Sequence, residues 1–119
     1  MMSITRETLE LAALAAGHTI YGWYLPKGEL IADISRHECI LWRPHLDDGD
    51  SRRLQIAVRA TLSVCCDGRN IAEAWCFRPG PMITTAVPHD GTTADMARAA
   101  REVVVLCAAA VGERMKGGS

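Results

Sequence analysis

"WRPHLDDGDSRRLQIAV", residues 42–58, decides how this chain is divided. Trp42 closes a run with strand character, Pro44 stops it, and three acids around Gly49 open an amphipathic run. Acids at a helix start accept hydrogen bonds from unpaired N–H groups and complement the helix dipole. Asp47, Asp48 and Asp50 therefore read as a helix start. Beyond them Leu54, Ala57, Val58, Thr61 and Leu62 share one face, while Arg52, Arg53, Gln55 and Arg59 supply the polar side. The end of this helix is left open between residues 61 and 64, where β-branched residues begin.

Upstream, Thr5 can cap a first helix with Glu7 in its first turn. Leu9, Ala12, Ala13 and Ala16 form a narrow apolar stripe, and Gly17 suits a C-terminal cap. Residues 18–25 favour a strand, Pro26-Lys27-Gly28 a turn, and residues 29–34 a second strand with Leu30, Ala32 and Ile34 on one face. Residues 38–42 make the third strand.

Downstream, Asp67-Gly68 suits a type I′ hairpin turn ahead of Ile71, Glu73, Trp75 and Phe77, which alternate with Ala72, Ala74 and Cys76. Pro79-Gly80-Pro81 breaks the chain before a strand over 82–87. Thr92, with Asp95 three positions on, can cap a last helix. Its apolar face would comprise Met96, Ala99, Ala100, Val103, Leu106, Cys107, Ala110 and Val111, with Arg98, Arg101 and Glu102 facing away. The expected fold is α+β, in the order α-β-β-β-α-β-β-β-α, with a mainly antiparallel sheet. Helices on both sheet faces would make an α/β/α sandwich; all helices on one face is the alternative. Residues 1–116 form one domain and 117–119 a tail.

A length of 119 residues with 49% hydrophobic content suits one domain with a real core. The net charge of -1 argues against a dedicated nucleic-acid binder, although a local basic patch is compatible with it. Eleven Arg stand against two Lys. Arg is favoured at interfaces, and a GC-rich genome gives the same bias. Five Cys without a C-x-x-C, no secretory signal pattern in residues 1–16 and no membrane-length apolar run point to a reducing cytoplasm.

The chemistry-bearing groups each have an ordinary reading. Asp47-Asp48-Gly49-Asp50 lacks the spacing of a calcium loop and the distant bidentate Glu. His37-Glu38-Cys39 lacks the H-x-E and P-C-x-x-C of zinc deaminases, and His45, the third candidate ligand, lies beyond a proline. Adjacent Cys65 and Cys66 point to opposite faces of a strand, and no nearby base suggests a thiol nucleophile. No P-loop, G-x-S-x-G or G-x-G-x-x-G is present. No catalytic residue, cofactor or metal is expected.

Thr5-Arg6-Glu7 with the following "LELAALAAG", Trp42-Arg43-Pro44, Asp47-Asp48-Gly49-Asp50, Leu54 and the Ala/Arg-rich last helix together resemble small phage-encoded proteins of the α/β/α "ABA-sandwich" type. Pro79-Gly80-Pro81 has no counterpart in that pattern. The resemblance covers most of the chain, implies a phage or prophage origin and carries no defined activity. The expected function is a non-enzymatic accessory protein in the bacterial host's cytoplasm. It would bind a host protein or ribonucleoprotein complex, most concretely as an anti-CRISPR-like inhibitor of a defence complex. Nucleic-acid binding in phage gene control or replication is one alternative, and a small hydrolase or metal enzyme is another. A homodimer is compatible with the sequence. Candidate partner-binding residues are Arg52, Arg53, Arg59, Arg98 and Arg101, a rival acidic set of Asp47, Asp48 and Asp50, and the aromatics Trp23 and Trp75.

Overall fold

A computed structural model describes residues 4–65, 68–77 and 80–117. Helix α1 (Arg6–Ala16) begins as its sequence predicts. Thr5 is extended, its side chain accepts the Thr8 N–H at 3.1 Å, and Gly17 closes the helix at φ 81°. That left-handed conformation is strained for most residues and free for glycine.

Strands β1 (Gly22–Tyr24), β2 (Ile31–Asp33) and β3 (Leu41–Trp42) follow, shorter than the sequence suggests. A 3-10 turn over Pro26–Gly28 cuts off β1, and Pro44 follows β3. They pair antiparallel in the order β1-β2-β3. Register sets Trp23, Ala32 and Trp42 side by side. Ala32 and Trp42 are buried, Trp23 is half-buried, and all three pack into the core. The His18 ring meets Trp42 edge-on, with centroids 5.5 Å apart.

Helix α2 (Asp48–Val58) buries Leu54 and Val58, then stops at Arg59, which is left-handed at φ 57°. Thr61 and Leu62, placed on the helix by the sequence reading, instead open β4 (Thr61–Cys65). Ala57 is exposed rather than core. Strands β5 (Ile71–Cys76) and β6 (Ile83–Pro88) complete a second antiparallel sheet, ordered β4-β5-β6. Its inner face carries Ala72, Ala74 and Cys76, opposite Val87, Thr85 and Ile83. Asp67 of the expected type I′ turn, Cys66, Pro79, and Gly118 and Ser119 of the expected tail lie outside the described residues.

Helix α3 (Thr93–Gly117) begins with Thr92 Oγ1 accepting the Asp95 N–H at 3.2 Å. The return bond from Asp95 goes to the Asp90 N–H, at 2.8 Å, so the capping box closes two residues earlier than its usual form. The helix packs on β4, β5 and β6 and also on α1 and α2. Val104, Val105, Ala108 and Ala109 are therefore buried along with Val103, Cys107 and Val111, and the single apolar face expected from sequence becomes burial nearly all round. Thr85 Oγ1 donates to the Val103 carbonyl at 3.1 Å and ties sheet to helix. Against α1, small residues permit close approach: a Cβ on Gly112 would overlap the Leu11 carbonyl.

The α+β class and the element order match the sequence reading. Among the described residues six strands form two three-stranded sheets, not the single sheet that an α/β/α sandwich requires. Strands of two or three residues offer few ladder bonds, and α2 separates β3 from β4.

Candidate functional site

The acidic set is consumed by the fold. Asp47 Oδ2 accepts the Asp50 N–H at 2.9 Å and caps α2. Asp50 is buried, at 9% exposure. Its Oδ2 accepts the Arg43 N–H at 3.0 Å, and its Oδ1 accepts from Arg53 Nη2 at 2.6 Å. One carboxylate thus fixes both the chain entering the helix and a side chain on its second turn. Asp48 Oδ1 accepts from Arg101 Nη1 at 2.9 Å, while Arg101 Nε donates to the His45 carbonyl at 3.2 Å. The three acids set the start of α2 and lash it to α3.

The α3 arginines, expected to face away, are spent in the same manner. Arg98 bonds Asp95 through Nε at 2.6 Å, Glu102 through Nη1 at 2.9 Å and the Pro88 carbonyl through Nη2 at 3.1 Å. Arg98, aided by the Asp90 N–H, holds the Asp95 carboxyl down to about 2. Arg101 is only 20% exposed. Both clamp the start of α3 to its surroundings.

On α2 the outcome differs. The Arg53 side chain is 71% exposed, but its guanidinium is engaged by Asp50, which raises its pKa. Arg52 and Arg59 are exposed, and their side chains make no hydrogen bond or ion pair among the described residues. Between them lies Ile56, 65% exposed, one turn beyond Arg52 and three residues before Arg59. Arg52 and Ile56 share one stripe opposite buried Leu54 and Val58, and Arg59 caps the end of the helix three residues beyond Ile56. Ile56 was missed at the sequence level. Its signal was available, since it falls off the Leu54–Val58 stripe and among the arginines.

Neither tryptophan candidate is a protruding anchor. Trp23 is half-buried, with the Arg6 guanidinium 5.1 Å from its ring centre. Trp75 is half-buried on the outer face of the second sheet, between Thr61 and Thr84 in register.

Among the described residues no group of three or more His, Cys, Asp or Glu is placed to hold a metal ion. Cys39 is exposed, at φ 54°, with the Tyr24 hydroxyl 3.3 Å from its sulfur. That neighbour raises the Tyr24 pKa. Tyr24, Leu25, Pro26, Ile31, Cys39 and Leu41 line an apolar groove of about 390 Å³ that the sequence did not suggest. His45 lies elsewhere: burial lowers its pKa, and its Nδ1 finds no hydrogen-bond partner among the described residues. The buried Cys76 and Cys107 sulfurs lie 3.9 Å apart, and burial pushes the Cys107 thiol up to about 12, unsuited to nucleophilic work near neutrality. His89 is structural. Its Nδ1 accepts the Gly91 N–H at 3.0 Å, so Nε2 carries the proton and donates to the Cys65 carbonyl at 2.7 Å.

The fold and this surface define a small α+β protein whose second helix exposes an isoleucine between two arginines. Comparison with protein-family models, curated proteins and solved structures finds no match.

Proposed function

We propose that the protein is a non-enzymatic accessory protein of phage origin that binds a host macromolecule through the outward face of α2. In its most concrete form it inhibits a bacterial defence complex, in the manner of anti-CRISPR proteins, within the host cytoplasm. The phage origin rests on the resemblance of the Trp42–Asp50 segment. The binding reading rests chiefly on Arg59. A helix ending in a left-handed residue is best served by Gly or Asn, and an L-residue with a long side chain costs energy there. The fold has no use for this arginine, and local rules are broken most often at functional positions. Arg52 and Ile56, one turn apart on the helix that Arg59 ends, add a second unpaired guanidinium and an exposed apolar side chain, the residue types that anchor interfaces.

The test is phage plaquing on the natural host carrying each of its CRISPR systems, with and without this protein. Rescue by the wild type and its loss in Arg52→Glu/Arg59→Glu is the expected result. No rescue against any of those systems rejects the anti-CRISPR form. Full rescue by the double variant removes α2 as the binding face.

A further inference from the structure

We infer that the surface α2 meets is a protein surface, a compact cluster of carboxylates around an apolar recess, and not a nucleic acid. The inference rests on the α2 reading above and specifies its partner.

Charge complementarity calls for an anionic partner, because Arg52 and Arg59 present guanidinium groups that no side chain of this protein balances among the described residues. The arrangement along the helix then decides which kind. The first turn is acidic: Asp48 pairs with Arg101 on one side yet keeps its side chain 82% exposed, and the basic groups follow it. A polyanion has uniform charge along its length. One lying along α2 would bring phosphates against Asp48 as it reached the arginines. Nucleic-acid binders draw much of their affinity from neutralising several phosphates with Lys and Arg. Here two free guanidinium groups and the half-engaged Arg53 are available on a chain of net charge -1.

Ile56 points the same way. An apolar side chain at the centre of a phosphate-facing patch would hold water off the phosphates and offer no hydrogen bond in its place. Against protein it can enter a recess, with guanidinium groups pairing bidentately to carboxylates at its rim. The complementary surface is therefore small, acidic at its edge and apolar at its centre.

Two labelled probes separate the cases by fluorescence anisotropy. One is a synthetic two-helix peptide hairpin whose groove is lined by alanine and leucine and rimmed by glutamates; the other is a DNA duplex of equal length. The wild-type protein is expected to bind the peptide and to prefer it at least ~10-fold over a lysine-for-glutamate counterpart and over the duplex at physiological salt. Ile56→Ser and Arg52→Glu/Arg59→Glu should each weaken peptide binding roughly tenfold, the scale of a central interface residue. All three positions are exposed, and unchanged thermal melts of both variants verify folding. Preference for the duplex, with indifference to Ile56→Ser, would overturn the inference and leave α2 as a phosphate-binding face. No peptide binding by the wild type at ~1 mM would overturn it as well. The plaque assay keeps the two failures apart. Rescue that needs Arg52 and Arg59 but tolerates Ile56→Ser sinks this partner and spares the binding face; rescue that needs neither sinks the face itself.

Discussion

Arg98 and Arg101 on α3 end on Asp95, Glu102, Asp48 and two backbone carbonyls, whereas Arg52 and Arg59 on α2 end in solvent. The residue type is the same and the helices touch, yet one pair serves the fold and the other does not. Position explains the split. Helix α3 lies between the second sheet and the other two helices, so even its polar side meets neighbours. Helix α2 packs through one stripe only and leaves its other side open. An arginine's meaning is therefore set by what surrounds its helix, and predictions for the two helices should diverge.

The largest divergence is expected at Gly112. Its replacement by Ala sets a methyl group into the Leu11 carbonyl, and backbone cannot yield as a flexible side chain can. Overpacking costs about 1–3 kcal/mol, and a backbone clash belongs at the upper end. Calorimetry should show a clear fall in Tm. On the open side of α2, Ala57→Ser should shift it little, within about 0.5 kcal/mol. Similar Tm changes at the two sites would mean that the helices are not differently packed.

Next comes the joint between them. Asp50→Ala strands the Arg43 N–H and releases Arg53, an expected loss of about 1–3 kcal/mol. Asp47→Ala removes only the cap and should cost about 0.5–2 kcal/mol. Chemical denaturation should rank Asp50 above Asp47. The reverse order would mean that the buried carboxylate contributes less than the half-exposed cap.

Acid gives a graded view of the same joint. His45 ordinarily titrates near 6.5, and burial lowers it in the folded state. As pH falls below 6.5 the unfolded chain takes up this proton first, so stability present above that value declines toward the lowered folded pKa. Asp95, ordinarily near 3.8 and held at about 2, adds a second loss only as pH drops through 3.8 toward 2. Melts across this range should show both limbs, and His45→Asn should flatten the first while leaving the second. A first limb that persists in His45→Asn would assign it to another group.

How much of this was legible depends on how local each feature is. Thr5, Gly17, Asp47 and Thr92 were readable because a cap is a contract between residues a few positions apart. Alternation in β5 was readable for the same reason. The division into two sheets was not, because it turns on which strands meet across the fold. The burial of Val104, Val105, Ala108 and Ala109 left a trace in the unbroken apolar run over 103–111, but one apolar face was assigned to it. The candidate arginines share a residue type and outward helical positions, which a sequence displays. Sorting the committed from the free needed their partners: Asp95 and Glu102 are close in sequence to Arg98, but Asp48 lies 53 residues from Arg101.

The one substitution expected to leave the fold intact or steadier is the most telling for function. Arg59→Gly removes a side chain without a partner and relieves an L-residue held at φ 57°. Left-handed conformation costs an L-residue roughly 1–2 kcal/mol, and glycine's greater freedom in the unfolded chain returns part of that difference. The net change should be a gain of at most about 1 kcal/mol, seen as a Tm equal to or slightly above wild type. If α2 is the binding face, the same variant should lose partner binding. A mutation that steadies the fold while disabling the protein cannot act through unfolding. A fall in Tm would mean instead that Arg59 holds a structural contact, and the contrast between α2 and α3 would dissolve at the residue on which it most depends.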